Sequence, residues 1–291
     1  MVDPSRGVLF PSRLTAFHRY APPPVTADLV QWFWIPEWDL EPGVVSRQTV
    51  LGYPALNLVV EPHGVSLVGA TTRMSERVLR GCGWAVGALL RPAAVGALTS
   101  DASSLVDVEQ PLSAPTLHAR VVAAMAGEAL VGEPGAGPEA GVPVAGQVAG
   151  QEAVDHEADA PADRHDHAVD IVAQWLSDRA GEIPSVARHA NMMPDVLIGE
   201  GGANTPTEAA VRLAVSLRTL QRMTHRYIGL PPAAIIRRRR LQEAAQLVRE
   251  HPDVSLATIA ADLGYADHAH LTSDFRTVLG FTPSGYRTES S

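Results

Sequence analysis

The 291-residue sequence contains no lysine and a single cysteine, Cys82. Because every basic side chain except histidine is an arginine, contacts with anions would be made by guanidinium groups, which can bond bidentately. One cysteine excludes an intrachain disulfide and is typical of a reducing compartment. The sequence also lacks an apolar run long enough to span a membrane and an amino-terminal signal-peptide pattern. We therefore expect a cytoplasmic protein without a membrane partner.

Several catalytic signatures are absent as well: the Walker-type glycine loop, HExxH and GxSxG. We therefore expect no enzymatic activity and no cofactor. The histidines that come nearest to a ligand pattern are His18, His63, His118, His156, His165 and His167. The first three have no ligand spacing and the last three lie in a segment without a scaffold, so no metal site is predicted. We expect Cys82 to be a small apolar filler; the alternative is an alkylation or redox sensor.

Charge is distributed unevenly along the chain, although the formal net charge is −9. Residues 1–207 hold 12 arginines and 24 acidic residues, whereas residues 208–291 hold 11 arginines and 8 acidic residues. Within 211–240 there are 8 arginines and no acidic residue. Such a basic block is typical of a surface that binds a polyanion, and the acidic remainder would confine nucleic acid to one face.

The most informative segment is 254–287, which reads VSLATIAADLGYADHAHLTSDFRTVLGFTPSGYR. Its apolar residues predict a first helix, and Gly264 marks a turn after it. Asp267 stands where the N-cap of a second helix belongs, and apolar residues recur at i, i+4 and i+7 from Leu271. Two short helices joined by a glycine turn make a helix-turn-helix, whose polar second helix suits a DNA major groove.

This segment closely resembles the second helix-turn-helix of the AraC/XylS family of bacterial transcription regulators. The matching positions are Ile259-Ala260, Gly264-Tyr265, Phe275-Arg276, Gly280-Phe281-Thr282-Pro283 and Tyr286-Arg287. The resemblance implies a DNA-binding regulator and leaves activation or repression open. The alternatives are a generic two-helix packing unit, a protein-docking module, and an enzyme linked to a DNA-binding module.

Residues 205–229 predict another helix-turn-helix, which resembles the first motif of the same family. A capping box begins at Thr205, and Ser216 can cap the following helix. Two positions depart from the family pattern: Ala214 occupies a turn position where glycine is usual, and Thr224 replaces an aromatic residue. We therefore expect looser packing in this motif.

A run without internal glycine or proline, from Pro232 to about Glu250, predicts one long helix between the motifs. About 19 residues span roughly 28 Å, comparable with the ~34 Å between successive major-groove faces on one side of a duplex. Within this helix, residues 237–240 are four arginines that sweep about 300° around the axis. We expect Arg240 to be structural, and Arg237–Arg239 either to contact phosphate or to be solvated.

The family's recognition positions can be carried over to ten residues of this sequence. The resemblance implies DNA contact by Arg218, Thr219, Gln221, Arg222, Arg226, His268, Ala269, His270, Ser273 and Arg276. Arginine and glutamine can bond bidentately with guanine and adenine edges, and Arg226 is expected at phosphate. Ser273 stands where the family often has arginine and Asp274 adds negative charge, so we expect less affinity from the second motif.

The first part of the chain, 8–131, is expected to form a β-rich barrel or sandwich with a trailing helix at 115–131. Strand-like runs separated by turn residues occur at 44–51, 55–61, 65–69 and 84–90. Short helices are expected at 26–33 and 92–99. The Val30–Trp34 stretch, the Pro54–Glu61 strand and the Arg91-Pro92 pair resemble the β-rich amino-terminal domains of one family branch, which implies effector sensing or dimerisation.

An effector pocket lined by Trp34, Trp38, Trp84 and Arg91 is a further hypothesis. Aromatic walls with one cation suit a small planar or anionic molecule. Ordinary core packing of the tryptophans is the simpler alternative.

Residues 132–167 are rich in Gly, Ala, Pro and acidic residues and contain no aromatic residue. Such a composition buries too little apolar surface to offset its ordering entropy, so we expect a disordered acidic linker. Helical periodicity resumes at 168, and 168–291 is expected to be the helical DNA-binding domain. The predicted fold class is thus α+β: a β-rich domain followed by an all-α domain with two helix-turn-helix motifs joined by a long helix. Expected partners are double-stranded DNA, a small-molecule effector, RNA polymerase and a second copy of the chain.

Overall fold

The computed structural model describes residues 16–127, 160–199 and 201–290. Antiparallel strands form most of the first range, and helices form most of the other two. This confirms the predicted fold class, a β-rich amino-terminal domain followed by an all-α region. Among the described residues, no helix combines the length and the apolar character that a membrane span requires.

The strands form one large sheet and one small sheet. They are β1 (Ala16–Tyr20), β2 (Val30–Asp39), β3 (Val45–Val50), β4 (Asn57–Glu61), β5 (Gly64–Val68), β6 (Ser75–Arg80), β7 (Cys82–Trp84), β8 (Val86–Leu90) and β9 (Glu109–Pro111). The large sheet has the order β1-β2-β8-β4-β5-β9, with β7 also paired to β2, and β3 pairs with β6. In the described ranges the large sheet is open between its edges β1 and β9. The strands predicted at 44–51, 55–61, 65–69 and 84–90 are present as β3, β4, β5 and β8.

The helix predicted at 26–33 is wrong, because β2 occupies the second half of this stretch. Only Pro24–Thr26 forms a short 3-10 turn. Val30, Phe33 and Ile35 of β2 are fully buried, and Trp32 is nearly so. β-Branched and aromatic side chains pack well on a pleated sheet, and a strand covered on both faces loses the alternation that identifies a strand in sequence.

The first three α-helices contact strands of the large sheet, and the later helices form the carboxyl-terminal region. They are α1 (Pro92–Leu98), α2 (Pro115–Met125), α3 (Ala160–Ala180), α4 (Ser185–Ala190), α5 (Met192–Leu197), α6 (Pro206–Arg212), α7 (Leu217–Tyr227), α8 (Pro232–Glu250), α9 (Leu256–Asp262), α10 (His268–Leu279) and α11 (Pro283–Ser290). The helices predicted at 92–99 and 115–131 are present as α1 and as α2, up to Met125.

Helix α3 begins at Ala160 rather than at 168, so the predicted linker is wrong at its carboxyl end. The helix packs along α2, and its His165 is buried. Tertiary packing therefore orders polar residues whose composition alone favours disorder. Residues 132–159 of the predicted linker lie outside the described residues.

Two hydrophobic cores meet at α8. The larger core joins the sheet to helices α1–α7 and reaches Ile235 and Ile236 at the start of α8. The smaller core contains the later residues of α8 with α9–α11, and it also includes Leu51 from the loop after β3. Both helix-turn-helix motifs therefore pack, directly or through α8, against the β-rich domain.

Candidate nucleic-acid interface

The first helix-turn-helix consists of α6 and α7, and side-chain caps define where both helices begin. The Thr205 hydroxyl accepts a hydrogen bond from the Glu208 amide at 3.1 Å. The Glu208 carboxylate accepts one from the Asn204 amide at 2.8 Å, one residue earlier than in an ideal capping box. The Ser216 hydroxyl accepts from the Thr219 amide at 3.1 Å and starts α7 as predicted.

In the turn between these helices, Ala214 adopts a backbone conformation that is unfavourable for alanine. Ala214 has a φ of +53°, in the left-handed region. Only glycine adopts this region without a steric cost from Cβ. The departure at Ala214 is therefore a strained position. At the other departure, Thr224 is fully buried and its hydroxyl donates to the Gln221 carbonyl at 3.2 Å. The expected looser packing of this motif stays a prediction.

Helix α7 presents a row of arginines on its outer face. Arg218, Arg222 and Arg226 are exposed and recur at i, i+4 and i+8, which places them on one side of the helix. None of the three makes an ion pair with another described residue. Gln221 is also exposed, whereas the half-buried Thr219 hydroxyl is bonded to the Ser216 cap at 2.9 Å.

The second helix-turn-helix consists of α9 and α10. The Asp267 carboxylate accepts from the His270 amide at 2.7 Å, as the predicted N-cap requires. Leu271 and Phe275 are fully buried, and Gly280 ends α10 with a φ of +75°. The residues of this motif that were assigned to DNA lie on the exposed face: His268, Ala269, His270, Ser273 and Arg276.

Two arginines of the run in α8 hold the second motif. Arg237 forms an ion pair with Asp274 of α10 at 2.7 Å, so this negative charge is already compensated. The Arg240 guanidinium lies 3.7 Å from the centroid of the Tyr265 ring in the turn before α10. Burial raises the pKa of Tyr265, which keeps the phenol neutral beneath the cation. The structural role predicted for Arg240 is confirmed.

Arg239 is buried and faces the segment before α6. Its Nη2 donates to the Ala203 carbonyl at 3.0 Å and to the Asn204 side chain at 2.8 Å, and its Nη1 pairs with Glu243 at 2.9 Å. Neither role predicted for this residue, phosphate contact or solvation, is available to a side chain that is 3% exposed.

Arg238 joins α8 to the β-rich domain. Its Nε donates to the Gly52 carbonyl at 2.6 Å, and its Nη2 donates to the Thr71 hydroxyl at 2.6 Å and the Arg73 carbonyl at 3.2 Å. Burial lowers the pKa of Arg238 to about 10, so it stays charged at neutral pH. One turn further, Gln242 donates to the Leu51 carbonyl at 2.8 Å. The phosphate or solvent role predicted for Arg238 is therefore wrong.

Because of these contacts, only some of the arginines in the basic block at 211–240 remain available to bind DNA. The four arginines at 237–240 mainly hold parts of the protein together, and Arg212 lies 3.7 Å from Glu208. The exposed cations of the 211–240 block are thus concentrated on α7, at the arginine row defined above. This geometry suits a helix that enters a groove lined with phosphates.

A cavity of about 230 Å³ lies against one face of the large sheet. Its aromatic lining consists of Phe17, Trp32, Trp34, Trp38 and Tyr53. The Arg19 guanidinium is 5.1 Å from the centroid of Trp32 and 5.8 Å from that of Tyr53. The predicted pocket residues Trp34 and Trp38 are therefore brought together, with Arg19 as the cation beside the rings.

Trp84 and Arg91 do not belong to this lining. Residues opposite each other on antiparallel strands share a face of the sheet. Trp84 is opposite Glu37, so both side chains lie on the face of the sheet that points away from the cavity. Arg91 instead donates a hydrogen bond from Nε to the Val30 carbonyl at 3.3 Å. Sequence reasoning missed Arg19, although its alternation with Phe17 on a short strand could have indicated a shared face.

Two glycines make room for the tryptophans of the cavity. Gly87 is opposite Trp34 and Gly83 is opposite Trp38. A Cβ at Gly87 would lie 2.0 Å from the Trp34 ring, and one at Gly83 would lie 2.4 Å from the Trp38 ring. The rings therefore lie flat over the glycine backbone of the neighbouring strands.

Cys82, in the same strand as Gly83, is exposed, so the expectation of an apolar filler is wrong.

Two family models match separate parts of the chain. Residues 209–289 match the family model of a helix-turn-helix domain, and residues 18–109 match a domain of unknown function (DUF6597). The chain is 41% identical over 78 residues to the HTH-type transcriptional activator RhaS of Escherichia fergusonii. It is 36% identical over 80 residues to RhaS of Klebsiella pneumoniae. The chain spans about 28% of the length of both relatives.

A solved structure of ToxT from Vibrio cholerae is similar over 88% of this chain and 98% of that chain, with 9% sequence identity and a TM-score of 0.42. Helices α6–α11 form a double helix-turn-helix domain, with an exposed second helix in each motif and one long helix between the motifs. The helix-turn-helix family model and the RhaS relatives identify it as a DNA-binding domain of the AraC/XylS type.

Proposed function

We propose that this protein is a sequence-specific regulator that reads two adjacent major-groove segments of duplex DNA with α7 and α10. The observation that carries the proposal is the exposed arginine row of α7, because the other arginines of the basic block already contact residues of the protein itself. The curated relatives are named transcriptional activators, which favours a regulator over the enzymatic and protein-docking alternatives.

Each recognition helix is assigned a different share of the contact. Arg218, Gln221 and Arg222 of α7 would bond base edges, and Arg226 at the end of the row would bind phosphate. Helix α10 offers imidazoles, a hydroxyl and one arginine, which form weaker bonds with DNA than several guanidinium groups do. The first motif therefore supplies most of the affinity, and the second adds specificity at a neighbouring segment.

Helix α8 would set the distance between the two recognition helices. Its 19 residues correspond to about 28 Å at ~1.5 Å per residue. The Arg237–Asp274 ion pair and the Arg240–Tyr265 contact fix α10 to this helix. A rigid helix of this length can place the two recognition helices in adjacent major grooves on one side of the duplex.

The aromatic cavity is proposed as the effector site. Its volume is slightly below the ~300–1,000 Å³ of typical ligand pockets, so the effector would be a small planar molecule, with an anionic group placed near Arg19. Leu51, Gly52 and Thr71 line this cavity, and all three accept hydrogen bonds from α8. An effector that shifts this wall would change how α8 is held, and thereby the position of the recognition helices relative to the β-rich domain.

The rest of the organisation follows from this assignment. We propose 8–131 as the sensing or dimerisation domain and 168–291 as the DNA-binding domain, with α3 joining them. A second copy of the chain and RNA polymerase are proposed partners, as in the family.

Recovery and sequencing of genomic DNA fragments bound by the full chain tests the proposal. We expect a recurring motif with two elements about 10 base pairs apart, and an affinity for the recovered duplex that falls steeply with salt. Fragments without a shared motif, or an affinity insensitive to salt, would contradict the assignment.

A further inference from the structure

The face of the large sheet that points away from the aromatic cavity carries a cluster of metal-ligating side chains. His18 of β1 is opposite Ile35 of β2, and Tyr20 is opposite Phe33. Odd-numbered β2 residues share a face, so Glu37 lies on the same side as His18 and Tyr20. Helix α3 covers this face and inserts His165 into it.

The cluster consists of His18, Glu37 and His165, whose potential ligand atoms all lie within 4.8 Å of one another. His165 Nε2 is 2.9 Å from Glu37 Oε2, and the two imidazole rings are 5.1 Å apart between centroids. His165 is 1% exposed, whereas His18 is exposed to solvent. The cluster thus has a buried side formed by α3 and an open side through which an ion can enter.

We propose that His18, Glu37 and His165 form a binding site for a divalent transition-metal ion, of which Zn²⁺ is the probe to use. Two imidazole nitrogens and one carboxylate oxygen are a common protein ligand set for Zn²⁺, with a water molecule in the fourth position. A set without thiolates also accepts Co²⁺ and Ni²⁺. The exposed side at His18 leaves room for that water.

The groups around the cluster are arranged as supports for metal ligands. Tyr20 Oη is 2.7 Å from His165 Nδ1, so a metal on Nε2 would leave Nδ1–H to donate to Tyr20, which orients the ring. Arg164 Nη2 donates to Glu37 Oε1 at 2.7 Å. This bond occupies one carboxylate oxygen and leaves Oε2, the one beside His165, for the metal.

Only a small movement is needed to close the site. Zn–N and Zn–O bonds of about 2.0–2.1 Å place tetrahedral ligand atoms about 3.4 Å from one another. His165 Nε2 and Glu37 Oε2, at 2.9 Å, would move apart by about 0.5 Å, and the His18 ring would move inward by up to about 1.4 Å. An exposed side chain makes such a rotation at little cost.

A bound ion would fasten α3 to the edge of the sheet. It would join β1 and β2 to a helix that follows the residues not described between 127 and 160. Because an ion that binds only the folded state stabilises it by mass action, thermal stability should increase with the concentration of Zn²⁺.

Equilibrium dialysis of the metal-stripped full chain against Zn²⁺, together with thermal melts, tests the proposal. We expect one ion per chain at this site, and at least tenfold weaker binding in His18→Ala and Glu37→Gln. Tyr20→Phe should weaken binding about 10-fold or more, because it removes the hydroxyl that orients the His165 ring. His18 is exposed, so its variant should fold even if a variant of the buried His165 does not. With Co²⁺, the wild type should give a visible absorption spectrum that His18→Ala loses.

His167→Ala is the matched control, because His167 lies on the same helix as His165 but is exposed and outside the cluster. This variant should keep both the affinity and the Zn²⁺-dependent increase in melting temperature. Equal Zn²⁺ binding by wild type and His18→Ala would mean that the three side chains form only a hydrogen-bonded network, and it would overturn the proposal. The absence of any Zn²⁺ binding by the wild type would do the same.

Discussion

Arg238 of α8 donates a hydrogen bond from Nε to the carbonyl oxygen of Gly52 at 2.6 Å. Gly52 also lines the aromatic cavity, so a single bond connects the wall of that cavity to the helix that spaces the two DNA-reading motifs. Thr71 has the same double role, because it lines the cavity and accepts from Arg238 Nη2. The buried guanidinium of Arg238 therefore links the β-rich domain to the helix between the two motifs.

Replacing Arg238 should uncouple these two parts. Arg238→Met keeps much of the side-chain volume but leaves buried acceptors without their donor, which should lower the free energy of unfolding by about 1–3 kcal/mol. Chemical denaturation measures this change. The control is Arg47→Met: Arg47 pairs with Glu76 on an exposed strand, and such surface pairs contribute about 1 kcal/mol or less. Equal stability of the two variants would show that the Arg238 contacts do not hold the domains together.

The strained turn of the first motif predicts a stabilising substitution. Ala214→Gly should raise the free energy of unfolding by about 0.5–1 kcal/mol, because the left-handed conformation costs alanine more than glycine loses in chain entropy. The matched control is Ala261→Gly, since Ala261 is exposed in helix α9 of the second motif. That change should destabilise the protein by about 0.5–1 kcal/mol. If both variants are destabilised alike in denaturation curves, the strain at Ala214 is absent.

The flat packing of Trp34 on Gly87 predicts a sensitive position. In Gly87→Ala the new Cβ would overlap the indole, so the ring must move and the cavity must change shape. We expect a loss of about 1–3 kcal/mol in stability and an altered near-ultraviolet circular dichroism spectrum in the tryptophan region. Gly96→Ala in α1 is the control, because a Cβ there meets no atom within 4 Å. An unchanged tryptophan spectrum in Gly87→Ala would contradict the described packing.

The helix-turn-helix motifs could be predicted from the sequence because their signals are local. Caps at Thr205, Ser216 and Asp267 lie three residues from the amides that they bind, and apolar spacing identifies the buried side of each helix. The strand β2 could not be recognised in the same way, because burial on both faces removes the alternation of polar and apolar residues.

The parts that sequence reasoning missed depend on contacts between distant segments. Arg238 and Arg239 belong to a run of arginines, which in sequence suggests an exposed surface. Their hydrogen-bond acceptors, Gly52 and Ala203, lie in distant parts of the chain. The cluster joins His18 of the first strand to His165, which lies inside the predicted linker at 132–167. Assigning Trp84 to the cavity failed because strand register, which decides the face, is not readable without the partner strand.

Binding of the recovered operator by Arg222→Ala tests the central claim most directly, since Arg222 is the middle arginine of the exposed row on α7. Fluorescence anisotropy with a labelled duplex, at two salt concentrations, compares this variant with Arg120→Ala, which removes an exposed arginine from α2. We expect Arg222→Ala to weaken binding by about 1–3 kcal/mol and to relax selectivity at one or two base pairs, while Arg120→Ala binds like the wild type. If Arg222→Ala binds with unchanged affinity and selectivity, α7 does not read DNA and the account is wrong.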